Sequence, residues 1–185
     1  MCRYMENRRS KMTKRLIKES LTELLETENL NSISVRMICE RADLNRSTFY
    51  LHYETLDDLL SEFTEELMSS VWKNDTAFIR EQDYRDKLDH IYSHRTEYLA
   101  LLKTGLFHRY IMSQYETIDF STHPIFRKYS REAFLLVSSY TVSGMEQLFL
   151  HILEQADNRF SIDELAGLIY RLNNDSMREI LALSK

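Results

Sequence analysis

The chain has 185 residues, of which 43% are hydrophobic and 29% are charged, a composition typical of a folded globular protein rather than a disordered one. It contains only 3 glycines and 1 proline. Because a β-rich fold needs these residues at its many turns, their scarcity predicts an all-α fold. No apolar run approaches the ~20 residues of a membrane span, and two distant cysteines fit a reduced protein, so we expect a cytoplasmic protein without membrane contacts.

The net charge of −5 hides a gradient along the chain. Residues 1–18 carry seven basic groups and one acidic group, a balance of +6 (7 − 1). Residues 61–185 carry 14 basic and 19 acidic groups, a balance of −5 (14 − 19). A basic segment on an acidic chain is typical of a local nucleic-acid-binding surface. We therefore predict that residues 1–12 form a flexible basic arm.

Four helices are predicted at the start of the chain, at about residues 13–27, 35–42, 46–52 and 55–73. Ser34 and Thr55 are good N-caps for the second and fourth, because a hydroxyl oxygen can accept from an unpaired amide of the first turn. Between the second and third helices, Asp43 and Asn45 both tolerate the geometry of a turn. Two short helices joined in this way are a candidate helix-turn-helix, and the first helix completes a three-helix core.

Longer helices follow, at about residues 83–104 and 106–118, in a piece from about residue 124, and at about residues 131–155. The last helix begins with Ser161 and Glu164 at the spacing of a capping box and continues towards Leu172, with a restart after Asn174 left open. This change of pattern predicts two domains. They are a helix-turn-helix domain at residues 13–60 and a helical ligand- or partner-binding and dimerisation domain at residues 61–185.

The third helix is expected to have two faces. Phe49 points to the core, which leaves Arg46, Ser47, Thr48 and Tyr50 facing outward. In a helix-turn-helix the second helix of the pair enters the major groove of double-stranded DNA. Arginine can bind guanine O6 and N7 with two hydrogen bonds, and a Ser or Thr hydroxyl can bond a base or a phosphate. The outward face therefore has the chemistry of a DNA-reading surface.

The stretch "TKRLIKESLTELLETENLNSISVRMICERADLNRSTFYLHYETLDDLL", from about Thr13 to Leu60, resembles the DNA-binding domain of TetR-type transcriptional regulators. The likeness includes the aromatic-Tyr-x-His-aromatic pattern and the acidic-Leu-Leu that follows it. It implies a sequence-specific homodimer on a palindromic operator, controlled by a small effector or a partner protein. Two positions depart from the family pattern: Asp43 stands where glycine is usual, and Leu56 replaces a lysine that often contacts phosphate.

The resemblance assigns base contacts to the outward face of the third helix and backbone-contact or support roles to residues around it. Lys14, in the basic segment, is expected to strengthen binding to every sequence. The predicted DNA-binding residues are Lys14, Ser34, Arg36, Asn45, Arg46, Ser47, Thr48, Tyr50, His52 and Tyr53. The alternative is a helical protein-interaction module without specific DNA binding.

Aromatic residues are plentiful in the predicted C-terminal domain, where they either fill the core or line a cavity for a ligand. Arg95 and His108 lie among them and either receive a polar ligand or face solvent. The candidate ligand-binding residues are Arg95, Tyr98, Phe107, His108, Tyr110, Ile111, Tyr115 and Phe134.

Apolar residues at spacings of three and four along the two last helices predict half of a four-helix dimer bundle, unless one protomer buries the same stripe internally. The predicted dimer-interface residues are Val137, Thr141, Met145, Leu148, Ile152, Ile162, Leu165, Ile169 and Leu172. The segments "SHRTEYLALLKTG" and "VSGMEQLFLHILEQ…SIDELAGLI" resemble the C-terminal domain of a TetR subset that includes dihydroxyacetone-kinase-type regulators. Some of those regulators work through a partner protein.

Enzymatic and metal-binding functions have little support. We find no nucleophile elbow, phosphate loop or paired acid and base. His90, His94 and Glu97 can share one helix face, as metal ligands do, but such spacing arises easily by chance. We therefore predict neither an enzyme, nor a metal site, nor a cofactor.

Overall fold

The computed structural model describes residues 8–69, 71, 80–118, 130–155 and 160–182, with side chains up to residue 175 in the last of these ranges. Regular structure there is helical throughout, which confirms the predicted all-α fold. The helices are α1 Arg8–Leu25, α2 Val35–Arg41, α3 Arg46–Tyr50, α4 Leu56–Ser69, α5 Glu81–Ser93, α6 Arg95–Thr104, α7 Leu106–Glu116, α8 Arg131–Glu154 and α9 Ile162–Ala182. Within the described ranges, no helix is long and apolar enough to cross a membrane.

The chain divides into two compact units, residues 1–67 and residues 68–185, which we call the head and the body. The division between these units lies seven residues after the domain boundary predicted at residue 60. The reason is α4, which runs from Leu56 to Ser69 and buries Leu59 and Phe63 as part of the head. The piece predicted from about residue 124 and the first seven residues of the basic arm lie outside the described residues.

In the head, α2 packs against α1 and α3. The most deeply buried side chains of the head are Ile17, Leu21, Ile38, Phe49 and Leu59, each at 0% exposure. Helix α1 starts at Arg8 rather than Thr13, so residues 8–12 continue the helix and are not part of a flexible arm. The sequence of these residues contains neither glycine nor proline, so nothing local stops the helix there.

The turn between α2 and α3 closes as a Schellman motif. The Leu44 amide donates to the Cys39 carbonyl at 2.9 Å, and Asp43 takes the left-handed conformation with φ 52°. At the other end of α2, the Ser34 side chain accepts from the Met37 amide at 3.3 Å. The predicted N-cap and the predicted turn geometry are both confirmed.

In the body, α5 packs on α9, α6 packs on α7 and α8, and α8 packs on both α7 and α9. The rings of Tyr98, Phe107 and Phe149 form a continuous edge-to-face chain through its core, with centroid distances of 6.3 and 6.0 Å. Gly105, with φ 72°, makes the sharp connection between α6 and α7.

Two predicted helices differ from those observed. The helix predicted over residues 83–104 breaks at His94 (φ −122°, ψ 42°), because α5 packs on α9 while α6 packs on α7 and α8. Helix α9 is continuous to Ala182, without an end or restart near Asn174. Its predicted capping box is confirmed: the Ser161 amide donates to Glu164 Oε2 at 2.8 Å, and the Glu164 amide donates to Ser161 Oγ at 3.2 Å.

Candidate nucleic-acid interface

Helix α3 has the two predicted faces. Phe49 is completely buried, its ring 5.6 Å from that of Tyr53. Tyr50 is 54% exposed, and its ring stands edge-on to Phe49 at the same centroid distance. Arg46 and Ser47 are exposed. One buried ring thus fixes the short helix and leaves a polar face toward solvent.

The beginning of α3 adds further polar groups to this face. Asn45 is exposed at the N-cap position, and its backbone carbonyl accepts from the Thr48 and Phe49 amides at 2.9 and 3.3 Å. Its side chain makes no capping hydrogen bond, so the amide group extends the exposed surface. Thr48 is half-buried. The predicted base-contacting residues therefore lie together at the start of one helix.

Leu51 belongs to the same face, although the sequence analysis did not select it. The residue is 81% exposed and directly follows Tyr50. Its amide donates to the Ser47 carbonyl at 3.2 Å, which places Leu51 one helical turn after Ser47. Leu51 occupies the variable position x of the aromatic-Tyr-x-His-aromatic pattern, so the pattern does not select it. Its exposure in the folded protein does.

The start of α1 lies beside the end of this face. Ser10 Oγ and His52 Nδ1 are 3.5 Å apart, a long contact between α1 and the residues that follow α3. Arg8, Arg9 and Lys11 are exposed on the same first turns of α1. Basic side chains at the start of α1 therefore flank the outward face of α3, and a separate flexible arm is not required to place them there.

Lys14 and Tyr53 both make contacts inside the head. Lys14 Nζ donates to Glu62 Oε2 at 2.8 Å, and Tyr53 OH donates to Glu62 Oε1 at 3.1 Å. Tyr53 is only 3% exposed, and Lys14 Nζ lies 5.3 Å from its ring centroid. These contacts stabilise the head from inside, because they link α1, the residues after α3, and α4.

Glu62 is the centre of this group, which we call the Glu62 cluster: Lys14, Lys18, Tyr53 and Glu62. Lys18 Nζ lies 2.6 Å from Glu62 Oε1 and 2.5 Å from Glu66 Oε1. Burial on its own raises the pKa of Glu62, but the hydrogen bonds from Lys14, Lys18 and Tyr53 and the charge of Lys18 lower that pKa to about 2. The sequence contains a signal for this cluster, because Lys14 and Lys18 are four residues apart on α1 and Glu62 and Glu66 are four residues apart on α4.

The remaining predicted backbone contacts, Ser34 and Arg36, are exposed at the start of α2. Ser34 uses its oxygen to cap the helix, and its hydroxyl group still has a proton to donate. Arg36 Nε donates to Glu40 Oε1 at 2.7 Å, and this hydrogen bond and the charge of Glu40 raise the pKa of the guanidinium. Such an exposed pair is weak, so a phosphate can replace the carboxylate.

The predicted ligand residues are engaged with each other or with the rest of the body. Tyr98 and Phe107 are completely buried core residues, and the Tyr115 ring packs edge-to-face on Phe134 at 5.7 Å. Two further members, Tyr110 and Ile111, are also buried. The predicted set is therefore mostly core.

Two polar members of that set also have partners inside the body. His108 Nδ1 lies 2.9 Å from Glu146 Oε2, a contact between α7 and α8. Arg95 Nε donates to the Leu153 carbonyl at 2.8 Å and so completes the end of α8. Both side chains thus contribute to helix packing in the body, and their role as ligand contacts stays a prediction.

A further polar group, which the sequence does not single out, links α5 and α9 at the buried ring of Tyr84. Asn173 Nδ2 donates to Tyr84 OH at 2.9 Å, and Lys87 Nζ lies 5.5 Å from the Tyr84 ring centroid. Burial lowers the pKa of Lys87 to about 8, although Asp83 opposes this, and raises the pKa of Tyr115 on α7 to about 12. No periodicity could select these residues, because they come from separate helices.

The predicted dimer stripe includes residues that the protomer itself buries. The buried ones are Val137, Met145, Ile152, Leu165 and Ile169, all of which pack inside the body; Thr141, Leu148 and Ile162 are half-buried, and Leu172 is exposed. The burial of these five residues agrees with the internal alternative, and the dimer interface stays a prediction. Among the described side chains of these two helices, the large apolar ones that are exposed are Leu136 and Tyr140 on α8, and Leu168 and Leu172 on α9.

His90 and His94 are adjacent, with ring centroids 4.3 Å apart. His94 Nδ1 lies 3.0 Å from the His90 carbonyl oxygen, at the break between α5 and α6. Among the described residues, no three His, Cys, Asp or Glu side chains are grouped so as to hold a metal ion. The pair thus has a local contact at the helix break.

Two regulators of transcription are similar to this chain, whereas no protein-family model matches it. The uncharacterized HTH-type transcriptional regulator YxbF of Bacillus subtilis (strain 168) is 24% identical over 110 residues, which cover 54% of this chain and only 29% of that protein. A solved structure of the dihydroxyacetone kinase operon activator DhaS has 16% identity and a TM-score of 0.57, over 91% of this chain and 98% of that one. The chain therefore shares the all-α fold of DhaS, and neither similar protein is described as an enzyme.

Proposed function

We propose that this protein is a sequence-specific DNA-binding transcriptional regulator of the TetR type, acting in the cytoplasm as a homodimer on a palindromic operator. The observation that carries the proposal is the recognition face of α3, which we define as Asn45, Arg46, Ser47, Tyr50 and Leu51. Buried Phe49 fixes this helix on its core. The all-α fold shared with DhaS and the helix-turn-helix description of YxbF support the same function.

The helix-turn-helix offers separate groups for the bases and for the phosphate backbone of DNA. Arg46, exposed at the start of α3, is suited to the O6 and N7 atoms of guanine. Ser34, Arg36 and His52, around the helix-turn-helix, are suited to phosphate oxygens, which position the protein without reading the sequence. The basic first turns of α1 supply the salt-dependent attraction.

The proposed dimer uses the exposed apolar residues Leu136, Tyr140, Leu168 and Leu172. We call them the α8–α9 face. Since α8 and α9 pack on each other, the same pair of helices from a second copy completes a four-helix interface around a two-fold axis. On DNA, such a dimer is expected to place its two recognition helices ~34–36 Å apart, so that each reads one half of a palindrome.

Control by a small effector or a partner protein is proposed for the body. The C-terminal resemblance to dihydroxyacetone-kinase-type regulators and the shared fold with DhaS support it. An effector that carries an anionic or hydroxyl group would find suitable chemistry in Lys87, Tyr84 and Asn173.

The test is a selection of bound duplexes from random DNA, followed by binding titrations of the enriched sequence at several salt concentrations. We expect a palindrome to be enriched. The logarithm of its binding constant should fall linearly with the logarithm of the salt concentration. Shuffled duplexes of the same composition are the control. Weak binding that is equal for the selected and shuffled duplexes would instead favour a protein-interaction module.

A further inference from the structure

Two of the three large apolar side chains that the described head exposes lie at the recognition helix, Tyr50 at 54% and Leu51 at 81% exposure. The third, Met12 at 47%, lies on α1. Tyr50 and Leu51 are adjacent, and Leu51 is the one residue of the recognition face whose side chain carries no hydrogen-bonding group. A leucine in such a position makes a different kind of contact from its neighbours.

The position of Leu51 is well defined by the backbone. It follows α3 with φ −73° and ψ −18°, which are helical values, and its amide donates to the Ser47 carbonyl. Leu51 therefore continues the exposed row that begins at Ser47. The preceding residue is Tyr50, whose ring stands edge-on to the Phe49 ring with 5.6 Å between the ring centroids.

The chemistry of the major groove restricts what a leucine can recognise. Leucine has no donor or acceptor, so it cannot distinguish bases by hydrogen bonds. The base edges present donors and acceptors, and among the four unmodified bases only thymine adds an apolar group, its C5-methyl. A leucine that enters the groove with its side chain exposed has one apolar target among the base edges.

We propose that Leu51, supported by Tyr50, determines specificity by packing on a thymine methyl group in each half-site. The inference rests on the proposed DNA-binding function and adds a base to it. A helix rises about 1.5 Å per residue, so Leu51 lies about 7 Å along the helix from Arg46. The thymine is therefore expected within about two base pairs of the guanine that Arg46 reads, because successive base pairs are about 3.4 Å apart.

The experiment replaces thymine by deoxyuridine, which lacks only the methyl group, at one position at a time in both halves of the selected operator. For the unchanged protein, we expect one position at which the substitution weakens binding roughly tenfold, since two buried methyl groups are lost. Leu51→Ala should bind the thymine and uracil operators equally, whereas Leu51→Met should retain the preference. Because Leu51 is 81% exposed, both variants are expected to fold, which circular dichroism checks.

Two results would overturn the inference. Either no thymine position is sensitive to removal of its methyl group, or Leu51→Ala weakens binding to both operators by the same factor, which would mean that the residue and the methyl group do not interact. Failure of the proposed function gives a different result. In that case the random-DNA selection enriches no sequence, and the inference fails with it before any uridine is introduced.

Discussion

Within α3, neighbouring residues have opposite roles because a helix of five residues has room for only one buried position. Phe49 takes it, at 0% exposure, and the polar residues on either side are left outward. This division was predictable from the residues alone. The hydroxyl partner of Tyr53 was not, because Glu62 lies on a separate helix, α4.

Replacing Arg46 by alanine should relax the base preference of the protein. A guanidinium bound to guanine by two hydrogen bonds is worth about 1–3 kcal/mol of discrimination against the wrong base. Competition titrations with the selected operator and with a guanine-substituted operator measure this difference. Arg41→Ala is the matched control, since Arg41 is exposed in the same domain but pairs with Glu23 at 3.3 Å. Equal losses for both variants would contradict the assignment.

Replacing Glu62 by glutamine should lower the free energy of unfolding by about 1–2 kcal/mol at pH 7, because two lysines lose a hydrogen-bonded counter-charge. The pKa of Glu62 is lowered from 4.5 to about 2 in the folded protein. The carboxylate therefore contributes stability above pH 4.5, and this contribution is lost as the pH falls towards 2.

Urea unfolding of both proteins between pH 7 and pH 2 checks this expectation. The difference between the unchanged protein and Glu62→Gln should shrink across the acid range. Glu65→Gln, an exposed neighbour on α4, is the control and should change little. A difference between the unchanged protein and Glu62→Gln that stays constant down to pH 2 would show that the carboxylate is not held in the charged form.

At the level of elements, the turn after α2 carries a measurable strain. Asp43 has φ 52°, where a side chain costs energy that glycine does not. Asp43→Gly should therefore raise the free energy of unfolding by about 0.5–1 kcal/mol, and Asp43→Val should lower it. Thermal unfolding of both variants gives the answer. A lower midpoint for the glycine variant would mean that the aspartate side chain itself stabilises the turn.

Local signals explain which elements the sequence predicts well. The cap at Ser34, the capping box at Ser161 and Glu164, and the turn at Asp43 each depend on residues within a few positions. The break at His94 carries no such signal, because neither glycine nor proline marks it. It depends instead on which helices α5 and α6 pack against.

The burial of residues in the predicted dimer stripe has a related cause. Helix α8 carries apolar residues on opposite sides, with Val137 at 2% exposure directly after Leu136 at 74%. Periodicity alone finds two stripes in such a helix and cannot tell which one the protomer buries. Only the packing of α8 against α7 and α9 makes that choice.

For the whole molecule, charge on the α8–α9 face should separate the dimer. Leu136→Glu combined with Leu172→Glu places charges on both helices of the proposed interface, where each is 53% or more exposed in the protomer. We expect light scattering to report a monomer at micromolar concentration, with a large loss of affinity for the palindrome. Arg109→Glu, an exposed change on α7, is the control. A double variant that remains dimeric would place the interface elsewhere.

The Glu62 cluster also constrains how the sequence of this domain can evolve. One carboxylate serves Lys14, Lys18 and the hydroxyl of Tyr53, so a change at position 62 removes a shared partner from all three at once. They should therefore behave as one evolutionary character. Relatives that have lost the carboxylate at position 62 are expected to have replaced the lysines at positions 14 and 18 as well, and an ancestral chain that changed only one of them would have had a less stable DNA-reading domain.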